Sequence, residues 1–115
     1  SKERGHLNLK SKYKDKPGGV SGKAIAPQAN KIISYLYKHS ENKYKIIGVG
    51  GIFNGSDAYD KIKAGADLVQ LITGFIYNGP GSIKVINQKL DRLLKKDNFK
   101  HISQAIGIDA DKNTL

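Results

Sequence analysis

The apolar residues of this chain follow two different spacings, which predict helices alternating with short strands. From Ala26 onward, apolar side chains recur every three or four residues, as on one buried helix face; they are Ala29, Ile32, Ile33, Leu36 and Tyr37. Pro27 suits the first turn of this helix, which we expect to end near "HSENK". Two later stretches, 44–51 ("YKIIGVGG") and 67–75 ("DLVQLITGF"), are short, apolar and rich in β-branched residues, which is typical of buried strands.

Two further helices are predicted on either side of the second strand. Residues 56–64 begin with Ser56 as a candidate N-cap, carry Asp57 in the first turn and stop at Gly65. Residues 79–98 contain an amphipathic helix with one apolar face; that face consists of Ile83, Ile86, Leu90, Leu93 and Leu94.

The order of helix, strand, helix, strand and helix implies parallel strands joined by right-handed crossovers. The strands begin about 23 residues apart, a repeat that (β/α) barrels and doubly wound sheets share. Two parallel strands alone leave sheet faces uncovered and both sheet edges open. The pattern therefore predicts an α/β chain that is part of a larger domain.

The two ends of the chain differ from this alternating region, which spans residues 18–108. Residues 1–17 are rich in lysine and have almost no apolar periodicity, so we expect a basic loop or flexible arm. From His101 the sequence has room for one more short helix, and residues 109–115 are expected to form a frayed tail.

The formal net charge of +10 raises the possibility of a nucleic-acid partner. Lysine supplies nearly all of it, because Arg4 and Arg92 are the only arginines among 20 cationic residues. Arginine is the residue that forks onto phosphates and guanine edges, and the lysines here are scattered along the chain. A solvated lysine-rich surface is therefore favoured, and no nucleic-acid partner is expected.

Composition excludes several other classes of protein. The chain has no cysteine, which excludes disulfides and cysteine metal sites and fits a reducing compartment. No apolar run approaches the ~18 residues of a membrane span. The first ten residues, "SKERGHLNLK", lack the apolar segment of a signal peptide.

Glycine-bearing loops are the strongest signal for a binding site. The first predicted strand ends in "GVGG", which includes Gly50 and Gly51, and the second leads into Thr73 and Gly74. Ligands of parallel α/β proteins bind at the carboxyl ends of strands, where glycines let the backbone approach a phosphate. Tight strand-to-helix turns explain the same glycines, and "GVGG" does not match the GxGxxG fingerprint. Both explanations stay open at this point.

No residue is a convincing acid, base or nucleophile. His6, His39 and His101 lie far apart without a nearby carboxylate at ligand spacing, and we expect them to be exposed to solvent. Ser21 lies in the glycine loop "GGVSG", but a nucleophile elbow needs a preceding strand, and lysine-rich coil precedes this serine.

Three stretches together resemble a known enzyme family. They are "GGVSG" (18–22), "KIIGVGGIFNGSDAYDKIKAGADLVQLITGFIYNGP" (45–80) and "AIG" (105–107). In this order they resemble the C-terminal part of the dihydroorotate dehydrogenases, in particular the membrane-associated, quinone-dependent class 2. The resemblance covers about 90 of the 115 residues.

This resemblance implies the C-terminal portion of an FMN-containing (β/α)8 (TIM) barrel that oxidises dihydroorotate to orotate in pyrimidine synthesis and passes electrons to quinone. It implies that two of the barrel strands and their flanking helices are present, an incomplete barrel. The glycine–serine loop would line the flavin, the glycines after the penultimate strand would contact it, and the residues after the last strand would bind its phosphate. The residues that the resemblance assigns to FMN are Ser21, Gly22, Gly50, Gly51, Ile72, Thr73 and Gly74.

The sequence departs from the family pattern in three ways. Ile72 stands where the family usually has tyrosine, so only a backbone contact would survive there. Lys45 stands where proline is usual. The family's catalytic serine base, its substrate-binding asparagines, its flavin-contacting lysine and its quinone-site helices all lie upstream of this chain. We therefore expect no turnover from the chain alone.

The resemblance also implies partners and a location. The missing N-terminal part of the barrel would complete the site, and the whole enzyme would bind dihydroorotate and quinone. The whole enzyme would be a peripheral protein at the cytoplasmic side of a membrane. The chain alone, with barrel interface uncovered, is expected to oligomerise or aggregate. Two alternatives are a class 1 dehydrogenase or related FMN- or phosphate-binding barrel, and a non-enzymatic basic module that binds RNA or anionic surfaces.

Overall fold

The computed structural model describes residues 5–113, which contain four α-helices and two β-strands. The helices are α1 (Ala26–Ser40), α2 (Gly55–Ala64), α3 (Thr73–Asn78) and α4 (Ser82–Lys96), and the strands are β1 (Ile47–Val49) and β2 (Leu68–Gln70). Single 3-10 turns cover Lys23–Ile25, Ile102–Gln104 and Ala110–Lys112. In this described part of the chain, no helix combines the length and the apolar character that crossing a membrane requires.

β1 and β2 form a two-stranded parallel sheet, with Ile47 opposite Leu68 and Val49 opposite Gln70. Parallel pairing on either side of α2 confirms the crossover that the order of elements predicted. Among residues 5–113 no third strand joins, so the sheet does not close. One face stays open, because Ile47, Val49 and Leu68 expose 56%, 48% and 62% of their surfaces.

Both strands are shorter than the hydrophobic pattern predicted. β1 stops at Val49 because Gly50 and Gly51 follow with φ angles of 98° and 76°, outside the extended region. β2 has no pairing partner beyond that point and ends at Gln70. The apolar residues that follow therefore enter α3 at Thr73, where the sequence had predicted a continuing strand.

The core lies between the inner face of the sheet and helices α1, α2 and α4. Gly48 is buried there, and a Cβ on it would lie 3.0 Å from Ala66 and 3.1 Å from the side chains of Ile33 and Lys61. The helices can therefore approach the sheet closely. The buried apolar residues are Ile33, Ile52, Ala58, Tyr59, Ile62, Ala64, Ala66, Ile86, Ala105 and Ala110.

Only part of each predicted helix face is buried. In α1, Ile33 is buried, whereas Ile32 and Leu36 are about half exposed. In α4, Ile86 is buried against α2, whereas Ile83 is half exposed. The apolar face of each helix is thus larger than the area that the rest of the described chain buries.

The N-cap of α2 is Asn54, which corrects the prediction of Ser56. The Asn54 side chain accepts a hydrogen bond from the Asp57 N–H at 2.9 Å, and the Asp57 carboxylate accepts one from the Asn54 N–H at 3.2 Å. This reciprocal capping box satisfies two backbone donors and starts the helix earlier than expected, so Ser56 lies in its first turn. The predicted stop at Gly65 is confirmed, with a φ of 131°.

The C-terminal segment closes the far end of α2. The Gly107 N–H donates to the Ile62 carbonyl at 3.1 Å, and the Asp109 N–H donates to the Lys63 carbonyl at 2.9 Å. The Asp109 carboxylate also lies 3.3 Å from the Lys63 ammonium. Gly107 has a φ of 78°, and a Cβ on it would overlap the Tyr37 ring of α1. The segment therefore links α1 and α2.

The two ends of the chain differ in how closely they join this core. Residues 5–17 form turns without a helix or a strand, and residues 1–4 of the expected basic arm lie outside the described residues. Residues 109–113 were expected to fray, but hydrogen bonds to α2 hold their first residue and Ala110 is buried. Residues 114–115 of that expected tail also lie outside the described residues.

Candidate functional site

Three loops meet at the carboxyl ends of β1 and β2 and enclose a cavity of about 150 Å³. The first loop precedes α1, the second follows β1 and the third follows β2. The twelve lining residues are Ser21, Gly22, Ile25, Val49, Gly50, Gly51, Ile52, Phe53, Leu71, Ile72, Thr73 and Gly74. All seven residues that the sequence predicted for cofactor binding are among them, so the structure brings them together.

The first and third loops are joined by a hydrogen bond. The Thr73 hydroxyl donates to the Ser21 hydroxyl at 3.3 Å. Next to Ser21 in the first loop is Gly22, whose φ of 85° favours glycine. A Cβ on Gly22 would lie 3.8 Å from the Phe53 ring and from the Thr73 methyl group. Since both of these residues line the cavity, glycine at this position keeps the space between them open.

Packing against α1, rather than space for a ligand, explains the glycines after β1. A Cβ on Gly50 would lie 2.9 Å from the Ile25 side chain, and a Cβ on Gly51 would overlap Ala26. Both residues also have positive φ angles. Close packing of this turn against the start of α1 therefore requires glycine, which supports the tight-turn explanation for these two positions.

Gly74 fixes the start of α3 against the second loop. A Cβ on Gly74 would overlap the carbonyl oxygen of Ile52, so the two backbones are in direct contact. The preceding residue, Ile72, is the N-cap of α3 and makes no side-chain cap hydrogen bond. Its side chain is largely exposed at the cavity.

Phe53 forms the rim of the cavity and was missed by the sequence analysis. Its N–H donates to the Asp57 carboxylate at 2.9 Å, and its carbonyl accepts from the Asn78 side chain at 2.9 Å. The Tyr77 ring lies 6.2 Å from the Phe53 ring, and the Lys23 ammonium lies 5.3 Å from its centroid. An aromatic residue directly after the "GVGGI" turn is the signal that could have identified it.

The cavity is apolar and carries no formal charge. None of its lining residues is ionisable, and the polar side chains among them are the hydroxyls of Ser21 and Thr73. Among residues 5–113 no group of three or more histidine, cysteine, aspartate or glutamate residues could hold a metal ion. The site can therefore bind and orient a group, but its lining supplies no acid, base or nucleophile.

The three histidines lie outside the cavity and are exposed, which confirms the expectation from the sequence. His39 stacks on Tyr35, and its Nδ1 lies 2.8 Å from the Tyr35 carbonyl oxygen. His101 caps the following 3-10 turn by accepting a hydrogen bond from the Ser103 N–H. Helix packing and capping account for these two side chains.

Lys61 is a buried cation behind the sheet, with 1% of its surface exposed. Its ammonium donates a hydrogen bond to the Asn30 side-chain oxygen at 2.8 Å. Burial lowers the pKa of Lys61, an effect that Asp57 and Asp60 partly oppose. The position of this side chain between α1, α2 and β1 indicates a structural role.

Asp67 ties the starts of the two strands together at the end opposite the cavity. Its carboxylate accepts from the Ile46 N–H at 2.9 Å and from the Lys45 ammonium at 3.0 Å. Burial alone would raise the pKa of Asp67, but the hydrogen bonds from Ile46 and Lys45 outweigh it and lower the pKa overall.

Comparisons with known proteins agree on one family. The family model described as dihydroorotate dehydrogenase matches residues 2–94. A dihydroorotate dehydrogenase (quinone) of Nitratiruptor sp. is 50% identical over 92 residues, which are 80% of this chain and 26% of that protein. The protein of the same name from Roseiflexus castenholzii is 42% identical over 103 residues, 90% of this chain and 28% of its own length.

Solved structures give the same result. A crystal structure of DHODH from Eimeria tenella in complex with ferulenol superposes with a TM-score of 0.88 at 34% identity. The match covers 95% of this chain and 29% of that one. The ligand-free structure from the same organism gives a TM-score of 0.89. The chain thus has the fold of the C-terminal portion of a TIM-barrel enzyme, with an unclosed sheet, and spans less than a third of the length of these relatives.

Proposed function

This chain belongs to the dihydroorotate dehydrogenase family, and we propose that it is the FMN-binding C-terminal segment of a quinone-dependent member, which oxidises dihydroorotate to orotate in pyrimidine synthesis. The observation that carries the proposal is the convergence of all seven predicted cofactor residues on one cavity. The relatives' names, which specify quinone, favour class 2 over the class 1 alternative.

The lining suits a flavin mononucleotide. A Cβ on Gly22 would enter the gap between Phe53 and Thr73, so glycine there leaves room for a ligand against the loop. The apolar walls suit the flat face of an aromatic ring system, as in most cofactor sites. The first N–H groups of α3 have no partner within the helix and, with the hydroxyls of Ser21 and Thr73, would bind the phosphate.

The chain's own residues would bind and orient the cofactor rather than react. When bound, FMN supplies the redox chemistry, the two-electron oxidation of dihydroorotate and the transfer of electrons to quinone. The loop contact between Gly74 and Ile52 and the hydrogen bond between Thr73 and Ser21 would hold the cavity in shape. Because no lining residue can take up a proton at neutral pH, the base must come from the upstream part, and the chain alone should give no turnover.

The upstream part of the barrel is the partner that the open surfaces require. Ile47, Val49 and Leu68 point away from the core on the uncovered sheet face, and Ile32 and Leu36 extend the exposed apolar surface along α1. A closed barrel would cover both surfaces with further strands and helices. Without that cover the chain should oligomerise or aggregate. The assembled enzyme would be peripheral, at the cytoplasmic side of a membrane.

The test is reconstitution. The purified chain is mixed with the upstream remainder of the Nitratiruptor relative, and a covalent chimera of the same two parts serves as a second format. We expect bound yellow flavin and dihydroorotate oxidation with a quinone acceptor in the assembled forms. Neither part alone should turn over substrate. Absence of flavin from both the mixture and the chimera would defeat the proposal.

A further inference from the structure

Lys23 brings a positive charge next to Phe53, which lines a cavity with no formal charge of its own. Its backbone directly follows Gly22, and its ammonium lies 5.3 Å from the centroid of the Phe53 ring. A cation over an aromatic face is attracted by the ring, which restricts where the ammonium can move. The side chain is largely exposed and also borders a second cavity beside Lys31 of α1, so the Phe53 ring is the contact that draws its ammonium towards the first cavity.

The surroundings of the cavity offer little other charge. No lining residue is ionisable. The Asp57 carboxylate also faces Phe53, but it is engaged with the backbone N–H groups of Phe53 and Asn54. A phosphate bound near Thr73 would therefore meet hydroxyl and amide dipoles inside the cavity, one carboxylate behind the second loop, and the Lys23 ammonium at the rim.

We propose that Lys23 is a cofactor-binding residue that supplies the counter-charge for the flavin phosphate and makes the site select FMN over riboflavin, which lacks the phosphate. This inference rests on the proposed function and adds a residue and a ligand preference to it. Phe53 acts as the positioning residue, because its ring lines the cavity and attracts the Lys23 ammonium. The interaction is electrostatic and partly exposed, so salt should weaken it.

The experiment measures flavin binding in the complex of this chain with the upstream part, after removal of bound flavin. FMN and riboflavin are titrated separately, and quenching of flavin fluorescence gives each Kd. For Lys23→Gln we expect the Kd of FMN to rise about fivefold, as for a partly exposed charge pair, and the Kd of riboflavin to stay unchanged. Lys23→Arg should preserve the preference. Lys96→Gln, with the same charge change at the end of α4, is the matched control and should behave as wild type.

The salt dependence of FMN binding and the substitution of Phe53 give two further readouts. Raising the ionic strength from 0.05 M to 0.5 M should shrink the difference between wild type and Lys23→Gln for FMN. Phe53→Leu should lower the ratio of FMN to riboflavin affinity because the ammonium loses its ring contact. Equal weakening of both flavins in Lys23→Gln, or no weakening of either, would overturn the role of Lys23 while leaving FMN binding intact. Failure of the wild-type complex to bind either flavin would defeat the proposed function as well.

Discussion

The hydroxyl of Thr73 donates a hydrogen bond to the hydroxyl of Ser21 at 3.3 Å, across a separation of 52 residues. The loop before α1 and the start of α3 thereby meet at one end of the cavity. The gap that remains beside this bond exists because Gly22 has no side chain. The shape of this end of the site therefore depends on the backbone position of Gly22.

Gly22→Ala should weaken flavin binding, whereas a similar backbone change away from the cavity should not. The added Cβ would stand 3.8 Å from Phe53 and from Thr73, in the cavity space where we propose that the flavin binds, and the φ of 85° would add strain of roughly 1–3 kcal/mol. We expect the Kd of FMN in the assembled complex to rise by about tenfold or more. Gly79→Ala is the matched control, because Gly79 has a φ of 77° with nothing within 4 Å. Equal losses of affinity in the two variants would contradict this account.

Lys61 should make stability depend on pH in the alkaline range. Burial lowers its pKa in the folded state, so on raising the pH the folded chain releases this proton before the unfolded chain does. The cost of burying the charge is present in full below the folded-state pKa. It disappears as the pH rises towards the ordinary lysine value of about 10.4.

The wild-type protein should therefore become more stable as the pH rises from the lowered folded-state pKa of Lys61 to about 10.4, and Lys61→Met should not show this increase. Chemical denaturation of the assembled complex over that pH range measures it. Lys96→Met, which changes an exposed lysine, should keep the wild-type slope. The prediction fails if Lys61→Met and wild type show the same pH dependence.

Asp67→Asn should destabilise the protein at neutral pH and change its acid response. Asp67 accepts hydrogen bonds from Ile46 and Lys45, and hydrogen bonds to a charged group contribute about 1.5–3 kcal/mol. Because the folded-state pKa is lowered, the wild-type contribution is present above the unfolded value of about 3.9. It is lost as the pH falls through the folded-state pKa.

Chemical denaturation at pH 7 should show a lower free energy of unfolding for Asp67→Asn than for wild type. In acid this difference should shrink, because the variant has no carboxylate to protonate at this site. Lys45→Gln separates the two partners. The Lys45 side chain is 85% exposed, so its removal should cost less than about 1 kcal/mol. Equal losses in Lys45→Gln and Asp67→Asn would assign the stabilisation to the ion pair instead of the backbone hydrogen bond.

Gly107→Ala should detach the C-terminal segment from α1 and α2. The new Cβ would overlap the Tyr37 ring at a φ of 78°, and we expect a loss of at least about 1–3 kcal/mol. Hydrogen exchange at the N–H groups of Gly107 and Asp109 should accelerate, since both donate to carbonyls of α2. Gly79→Ala again supplies the same backbone change without a clash. Unchanged exchange at both N–H groups would show that the segment tolerates the substitution.

Local patterns in the sequence predicted the helices and the strand positions well. α1 begins at Ala26 as the apolar spacing and Pro27 indicated, and Gly65 ends α2. The N-cap of α2 was also within reach, because Asn54 precedes Asp57 by the three residues of a capping box. The sequence analysis assigned the N-cap to Ser56 instead.

The errors arose where distant contacts decide the structure. β2 ends at Gln70 because its partner strand ends, which the apolar run through Phe75 does not reveal. The backbone at Gly107 is set by the Tyr37 ring on another helix, a contact that the local sequence does not reveal. At the site, the spacing of the glycines was compatible with both phosphate binding and tight turns. Only the family resemblance indicated the seven residues that line the cavity.

The hydrogen bonds from Gly107 and Asp109 to the last turn of α2 also set an order of events during synthesis. The ribosome makes α2 well before it makes these donors, because β2, α3 and α4 lie between them. Until then the Ile62 carbonyl has only the Gly65 N–H as a protein donor, and one face of the Tyr37 ring lacks its contact with Gly107. The strands can therefore pair early, and the direct hydrogen bonds between α1 and α2, from Lys61 to Asn30 and from Ser34 to the Ala64 carbonyl, can form with them. The contacts of Gly107 and Asp109 are added to this pair of helices only after α4 has been made.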